Sequence, residues 1–196
     1  SMNPNDSFQT STNKDGKNAE SVMIAQMFVY VAPEYAAMCR MMGKESEAVF
    51  AEKAAAKMAK QICKAGWDGE WYVRAYDDFG NKIGSHECQD GKIFIESQGF
   101  GSMAQIGADK GYPIKALDSV KKHLDTKYGI VILDPPYRDY HVELGEVSSY
   151  PPGYKENAGV FCHNNPWIII GEILSGRPQN GWEYYKKIAP AYLEDI

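Results

Sequence analysis

Apolar residues recur at intervals of three and four along much of the chain, which is the spacing of amphipathic helices. The first such segment runs from Asn18 to Gly43, and we expect Pro33 to kink or split it because proline lacks an amide donor. The second segment, 44–64, is rich in Ala, Glu and Lys and ends before Gly66. The short glycine-containing connection between the two segments predicts an antiparallel pair of helices.

The pattern changes at residues 67–85, where strand-like alternation on both sides of a turn predicts a small β-hairpin. Helical spacing returns afterwards and predicts four more helices, at 94–111, 113–127, 167–175 and 178–196. The side chains expected to face the core in the second and last helices are Val49, Phe50, Ala54, Met58, Ile62, Trp182, Tyr185, Ile188, Tyr192 and Leu193.

The order of these elements predicts a mainly α fold, because helices follow one another in pairs without alternating with strands. Antiparallel pairs with functional loops at one end are typical of an α/α-toroid, and six helices would make about half of an (α/α)6 barrel. A free-standing helical bundle is the alternative. We expect a flexible polar tail at residues 1–17 and a partial barrel domain at 18–196.

Composition and charge argue against several kinds of partner. The 196 residues are 44% hydrophobic, which is enough for a sizeable core in one large domain or a piece of a larger protein. A net charge of −5 without a basic cluster argues against nucleic acid. We find no apolar run of the roughly 18 residues that a membrane span needs, and so expect no membrane partner.

The cysteines and most of the histidines indicate no metal site. The four cysteines are widely spaced and form no CxxC pair, which predicts reduced thiols in a cytoplasmic protein and no structural zinc. Three histidines have no metal-type spacing to a cysteine or carboxylate and are interpreted as ordinary: His86, His123 and His141.

Residues 146–168 concentrate most of the candidate chemistry in one turn-rich run that leads into an apolar segment. Pro166 at the first helical position puts His163 just ahead of a helix N-terminus, where free amide donors and the helix dipole favour an anion. His163 is therefore a candidate phosphate ligand. The alternative is a histidine that caps its own helix or packs under the loop.

Four other residues of this run are candidates for binding a sugar. Lys155 and Glu156 point to opposite sides of an extended loop, and ammonium and carboxylate groups both hydrogen-bond to hydroxyls. Glu146 and Tyr150 lie in the same loop and have the same possible role. A solvated surface position, as an ion pair for Lys155 and Glu156, is the alternative.

Paired carboxylates for glycosidic chemistry were sought elsewhere in the chain. The candidate pairs are Asp68 with Glu70 and Asp77 with Asp78. Asp-Gly is also an ordinary hairpin signal, so we favour a structural role for the first pair, with Trp67 or Trp71 as a possible wall of a sugar site.

Three phrases together resemble the C-terminal half of the cellobiose phosphorylase family, which are inverting glycoside phosphorylases with an (α/α)6 barrel. The phrases are Trp67-Asp-Gly-Glu-Trp-Tyr-Val-Arg-Ala-Tyr76, Phe94-Ile-Glu-Ser-Gln98 and Lys155-Glu-Asn-Ala-Gly-Val-Phe-Cys-His163-Asn-Asn-Pro-Trp167. The likeness runs from about Glu20 to the end of the chain.

The resemblance implies a role for each matching residue. His163 would match the phosphate-binding histidine, and Lys155 with Glu156 would match residues of the acceptor-sugar subsite. Glu146 and Tyr150 fall where cellobiose-specific members place further acceptor-site residues. Members that act on chitobiose have an apolar residue at the position of Glu146, so the sequence is more similar to the cellobiose type.

The implied reaction is a single displacement in which inorganic phosphate, the only co-substrate, attacks the anomeric carbon and no other cofactor is needed. An aspartic acid would protonate the leaving oxygen, but its Asp-Trp-Asn-Asp phrase and a later Arg-Thr-Gly phrase are both missing from the sequence. We therefore expect a fragment with no catalytic acid, inactive alone, from a parent that converts cellobiose and phosphate to glucose 1-phosphate and glucose.

Two alternatives remain open at this point. In the first, the parent enzyme acts on another β-linked substrate such as chitobiose, laminaribiose or a cellodextrin. In the second, the chain is a stand-alone helical domain that binds carbohydrate or protein without catalysis. We expect the parent to be a homodimer and the fragment to self-associate, because half a toroid leaves one flank of its inner helices uncovered.

Overall fold

The structure is a computed structural model that describes residues 19–77, 79–141 and 144–193. The predicted tail at 1–17 lies outside the described residues. Within them the chain is mainly helical, as predicted. The α-helices are α1 (Val22–Met41), α2 (Glu45–Ala65), α3 (Ile95–Met103), α4 (Tyr112–His123), α5 (Asn165–Leu174) and α6 (Pro178–Ile188).

The helices pack in two layers. Each even-numbered helix packs on the preceding odd-numbered helix, and the short connections within α1–α2 and α5–α6 make these pairs antiparallel. The odd-numbered helices are neighbours in turn, with α3 between α1 and α5. This alternation of one layer with the next is the arrangement of a helical toroid.

Helices α3 and α5 run in the same direction. A Cβ added to Gly99 would lie 2.7 Å from Cβ of Trp167, and one added to Gly171 would lie 2.8 Å from Cβ of Ser102. Three residues farther along α3 therefore correspond to four residues farther along α5. The glycines allow this close approach, and both helices begin at the same end of the domain.

Helix α1 is continuous through Pro33, so the predicted split is wrong. The buried surface between α1 and α2 is made of small side chains, and Ala36, Cys39, Ala48 and Ala51 form one cluster. These alanines make the contact between the helices, and Phe50 is 75% exposed. The prediction that Phe50 faces the core is therefore wrong.

The ends of three later helices differ from the predicted ones for local backbone reasons. Helix α3 stops at Met103 because Gln105 and Gly107 adopt positive φ angles. After α4 a small hairpin begins, and α6 ends because Ala189 is extended ahead of Pro190. Two short 3₁₀ turns follow α3 and α6, at Ala108–Lys110 and Pro190–Tyr192.

Three small antiparallel sheets join the helices. The predicted hairpin is present as β2 (Ala75–Tyr76) and β3 (Lys82–Ile83), and β1 (Glu20–Ser21) extends it. The others pair β4 (Ile93–Phe94) with β7 (Leu133–Asp134) and β5 (Asp125–Thr126) with β6 (Gly129–Ile130). The main core cluster lies around these strands and the inner faces of α4 and α5.

The aromatic face predicted to be the core of the last helix is largely exposed. Trp182 is 44% exposed and stacks on Tyr185, and Tyr192 contacts both rings edge to face. Tyr184, on the other face of α6, is the buried residue instead, with 3% exposure. The rings thus cover one another and not the core.

Helix α1 is long and apolar enough to cross a membrane by length and composition, with a mean hydropathy of 1.3. This differs from the reading of the sequence, which found no such run. Length and composition are also shared by helices that pack inside proteins, and α1 packs on α2 and α3 through buried residues such as Gln26 and Ala36. The helix alone therefore does not indicate a membrane.

Exposed apolar side chains on α1 and α2 predict self-association of the isolated chain. The most exposed are Ile24, Met38, Met41, Met42 and Phe50, with Met41 at 88%. Removing such a surface from water by pairing two copies is favourable. Sedimentation velocity should show dimers or larger species, and the double variant Met38→Glu/Met42→Glu should shift them toward the monomer.

The matched control is Lys121→Glu on the exposed surface of α4, which should leave the association unchanged. A monomer at every concentration, with little binding of a hydrophobic dye, would contradict the prediction.

Candidate functional site

The candidate site lies at the end of the domain where α3 and α5 begin. The segment 144–163 reaches the start of α5 there, and its residues lie in 3₁₀ and turn structure with isolated bridges. Free amide groups and the positive ends of the two parallel helix dipoles face the same end, which favours a negatively charged ligand.

His163 lies where the sequence placed it, two residues before the first residue of α5, with Pro166 in the first turn. Its ring packs edge-on against Trp167, with centroids 5.8 Å apart, and contacts Phe161 at 5.5 Å. The side chain is exposed. Asn164 occupies the N-cap, and no side chain caps the helix, so the alternative in which His163 caps α5 is wrong.

The loop that carries the sugar-binding candidates is held by the amide of Asn157, which is fully buried. Its Oδ1 accepts a hydrogen bond from the Tyr137 amide at 2.7 Å, and its Nδ2 donates to the carbonyls of Tyr137 and Tyr150 at 2.8 and 2.7 Å. One side chain therefore satisfies three backbone groups of two irregular segments. Tyr150 is fixed by this contact.

Asn165 anchors the other end of the loop in the same way. Its Oδ1 accepts from the Ile130 amide at 2.8 Å, and its Nδ2 donates to the carbonyls of Ile130 and Phe161, both at 3.0 Å. Phe161, two residues before His163, and the start of α5 are thus tied to strand β6.

Tyr150, Tyr154 and Lys155 form a single surface cluster. The Lys155 ammonium lies 5.1 Å from the centroid of the Tyr150 ring and 5.6 Å from that of Tyr154, and the two rings meet edge to face at 6.2 Å. A cation over aromatic rings is held in place without losing its hydrogen-bond donors. Aromatic rings beside a donor suit a sugar.

The backbone of this cluster is constrained at Lys155, whose φ is +48°. The Gly159 amide donates to the Lys155 carbonyl at 2.9 Å, and a Cβ on Gly159 would lie 2.5 Å from that oxygen. Ala158 also has a positive φ, of 69°. The turn 155–159 therefore requires a glycine at its end, and it aims Lys155 at the tyrosine rings.

The two glutamates of the loop are both partly buried. Glu146 lies in a 3₁₀ turn, Gly145–Ser148, and its carbonyl accepts bonds from Ser149. Glu156 has one carboxylate oxygen buried with no hydrogen-bond partner among the described residues. A buried acceptor without a donor costs free energy unless a neighbouring group supplies one.

The structure thus brings Tyr150 and Lys155 into direct contact and keeps His163 on the same chain segment beside α5. It also reveals Glu96, to which the sequence reading gave no role. This first-turn residue of α3 is 13% exposed and lies 3.7 Å from the Arg74 guanidinium. Burial raises the pKa of Glu96, while the charges of Arg74 and His163 oppose that rise. The sequence signal that could have identified Glu96 is its place in the phrase 94–98, one of the three that carry the family resemblance.

Two of the carboxylates considered for glycosidic chemistry, Asp68 and Asp77, have structural roles. Asp68 has 1% side-chain exposure and accepts hydrogen bonds from Ser85 and from the His86 amide. Asp77 accepts from two amides of its own turn. Asp78 lies outside the described residues.

The fold brings Asp68 next to His86 and Glu87, so that ligand atoms of the three residues lie within 4.8 Å of one another. The spacing of His86 along the sequence did not indicate these neighbouring carboxylates, which the fold brings close. The Asp68 carboxylate is already bonded to Ser85 and His86, which accounts for the arrangement as an anchor of this loop.

Neither tryptophan of the hairpin forms a free sugar-binding wall. Trp67 stacks on Tyr112 with centroids 3.9 Å apart. Trp71 is buried at 5% exposure, and its indole donates to the carbonyls of Gly84 and Lys92. Both rings serve packing.

Comparison with known proteins identifies the family to which the chain belongs. A family model described as the glycosyl hydrolase 94 superfamily, catalytic domain, matches residues 2–196, and the chain belongs to this family. The resemblance indicated by the three sequence phrases is thereby confirmed.

Several relatives are named as phosphorylases. The chain is 35% identical over 138 residues to solabiose phosphorylase of Paenibacillus borealis, which covers 69% of this chain and 18% of that protein. It is 27% identical over 180 residues to N,N′-diacetylchitobiose phosphorylase of Vibrio proteolyticus, covering 90% of the chain and 22% of the relative. The chain thus spans about a fifth of the length of these curated relatives.

Removing the Asn157 amide should destabilise the fold strongly. Asn157→Ala removes three buried hydrogen bonds to backbone groups, each contributing about 1 kcal/mol or more, so we expect a loss of about 3 kcal/mol or more. Urea unfolding followed by circular dichroism measures this. Asn180→Ala is the control, because the Asn180 amide bonds to Glu172 at only 3.5 Å and should lose under about 1 kcal/mol. Equal losses in both variants would refute the role of Asn157.

Proposed function

We propose that the protein carrying this chain is an inverting glycoside phosphorylase that cleaves a β-linked disaccharide with inorganic phosphate. The observation that carries the proposal is the anchored run 150–163. It presents an ammonium over aromatic rings at one end and an imidazole at a helix N-terminus at the other. Membership of the glycosyl hydrolase 94 superfamily and relatives named as phosphorylases support it.

His163 and the start of α5 bind phosphate in this proposal. An imidazolium supplies a charged donor, and the helix N-terminus supplies amide donors and a favourable dipole. Phosphate is itself the nucleophile, so it replaces the activated water of an inverting hydrolase and no protein base is required. Inorganic phosphate is a co-substrate, and the proposal includes no other cofactor.

The loop residues hold the acceptor sugar that departs. Lys155 donates hydrogen bonds to sugar hydroxyls, while Glu146 and Glu156 accept them, and Tyr150 offers an apolar ring face. The chain contains no Asp-Trp-Asn-Asp phrase, so the proposal assigns it binding roles and no proton donor.

Cellobiose is the substrate that we propose, with glucose 1-phosphate and glucose as products. The support is the carboxylate of Glu146, which accepts bonds from glucose hydroxyls, where chitobiose-type members have an apolar residue. Relatives named for N,N′-diacetylchitobiose make that disaccharide the competing candidate.

The substrate assignment is tested on the complete natural protein with a panel of β-linked disaccharides. Release of hexose 1-phosphate should be fastest from cellobiose, and Glu146→Val should reduce activity on cellobiose relative to that on N,N′-diacetylchitobiose by roughly tenfold or more. Faster turnover of N,N′-diacetylchitobiose by the unaltered protein would replace cellobiose as the substrate.

His163→Ala in the complete protein should weaken the use of phosphate. Loss of a charged hydrogen bond of about 1.5–3 kcal/mol predicts a KM for phosphate that rises roughly 10- to 100-fold, with the KM for disaccharide almost unchanged. Steady-state kinetics with each substrate varied in turn measures both. Cys162→Ala, at the exposed neighbouring position, is the control and should change neither constant. An unaltered phosphate dependence in the His163 variant would remove this residue from the site.

A further inference from the structure

We propose that a cleft between residues 82–90 and the segment that begins at Tyr137 is a second carbohydrate site, which binds one neutral sugar ring. The cleft has a volume of about 190 Å³. Its described lining residues include none of those proposed above to bind sugar or phosphate. The proposal rests on the proposed function for the kind of sugar, which is a glucose unit.

The two walls of the cleft are held together by hydrogen bonds that continue the pairing of β4 with β7. The Gly91 amide donates to the Pro135 carbonyl at 2.7 Å, and the Lys92 amide donates to the Asp134 carbonyl at 2.9 Å. A Cβ added to Gly91 would collide with Oη of Tyr137, so this tyrosine reaches across from one wall to the other. The cleft is thus built into the fold.

The size of the cleft restricts its ligand. Pockets for drug-sized molecules have volumes of roughly 300–1,000 Å³, and the cleft is smaller than these at about 190 Å³. Because one water occupies about 30 Å³ in the liquid, the cleft has the volume of roughly six waters. That volume is comparable to the volume of one sugar ring.

The lining of the cleft matches the two kinds of surface on a sugar ring. Ile83, Tyr137 and Leu144 form an apolar floor, with Ile83 8% and Tyr137 4% exposed. Gln89 and Asp139 lie at the exposed rim, and among the described residues neither side chain has a hydrogen-bond partner. A pyranose packs its CH groups on apolar side chains, while its hydroxyls bond to amides and carboxylates.

The charges around the cleft argue against an anionic ligand. Asp90 and Asp139 place two carboxylates in the lining. The Lys82 ammonium is already bonded to Glu87 at 2.7 Å and lies 3.5 Å from Asp68, so its charge is balanced. The two further carboxylates repel a phosphate group, whereas a neutral sugar meets no such repulsion.

The cleft is connected to the candidate acceptor loop through two side chains. Asn157 bonds to both backbone groups of Tyr137 and to the Tyr150 carbonyl. Oγ of Ser148 accepts a hydrogen bond from the amide of His141, another lining residue, at 2.9 Å. A sugar in the cleft therefore lies beside that loop. Two sources share this chemistry, namely free glucose and an end unit of a longer β-linked glucan.

The test is saturation-transfer NMR of glucose and cellotriose on the 196-residue chain, since this method observes the ligand and tolerates self-association. The Lys155→Ala background weakens binding at the acceptor loop. In that background Gln89→Trp, which fills the rim, should reduce the sugar signal by about tenfold or more. Gln179→Trp, the same change on the exposed surface of α6, is the control and should not reduce it.

The pattern of signals decides the outcome. A signal of free glucose that depends on Gln89 supports the monosaccharide as ligand, and such a signal for cellotriose alone supports a glucan end unit. Equal sugar signals in the Gln89→Trp and Gln179→Trp variants overturn the proposal, as does the absence of a signal before either change. Glucose 1-phosphate is the anionic probe, and a loss of its signal in Gln89→Trp overturns the assignment to a neutral sugar.

Asp139→Asn covers the case in which circular dichroism shows that Gln89→Trp does not fold. It keeps the shape of an exposed side chain and removes a charged acceptor, so sugar binding should weaken roughly three- to tenfold. Unchanged binding in folded Asp139→Asn would then overturn the proposal.

The cleft and the proposed function can fail separately. If the complete natural protein releases no hexose 1-phosphate from any disaccharide while sugar binding depends on Gln89, the proposed function fails and the cleft site stands. If the complete protein releases hexose 1-phosphate and neither sugar signal depends on Gln89, the cleft site fails alone.

Discussion

Three buried side-chain amides hold together the parts of this domain that have little regular structure. Gln98 bonds to the amide and carbonyl of Tyr72 and to the carbonyl of Phe94, and Asn157 and Asn165 each bond to three backbone groups in the same manner. Each side-chain amide hydrogen-bonds to backbone groups of a loop, as a neighbouring strand hydrogen-bonds to backbone groups in a sheet. The strands here are only two residues long, so these side chains supply the missing partners. Without them the loops around the candidate site would expose unpaired polar groups to the core.

The close packing of α3 on α5 also shapes the candidate site. Glycines at the contact let two helices run side by side in the same direction, and their N-termini open at one end. Two aligned dipoles and two sets of free amides then act on the same region. Position in the fold, and not any single side chain, makes this end suitable for an anion.

Much of the helical fold follows from the sequence, because amphipathic spacing and glycine stops are local. The pair α1–α2 and the start of α5 were predicted within a few residues. The burial of individual helix faces was not predicted correctly, since it depends on which neighbouring element each helix packs against. Phe50 and Trp182 look like core residues in sequence, yet alanines and Tyr184 make the contacts. The candidate site shows the same division. Its loop was found from residue types, whereas the burial of Glu96 beside Arg74 depends on a contact between residues far apart in sequence.

The left-handed backbone at Lys155 sets unequal limits on how this loop can change. A residue with φ near +48° tolerates glycine, asparagine and unbranched side chains far better than valine, isoleucine or threonine. Gly159, pressed against the Lys155 carbonyl, admits no larger residue without moving the turn. Glu146 and Tyr150 carry no such restriction, since neither has a positive φ. Mutant libraries of this loop therefore have most freedom at positions 146 and 150, whereas position 155 is restricted to residues that accept a left-handed backbone.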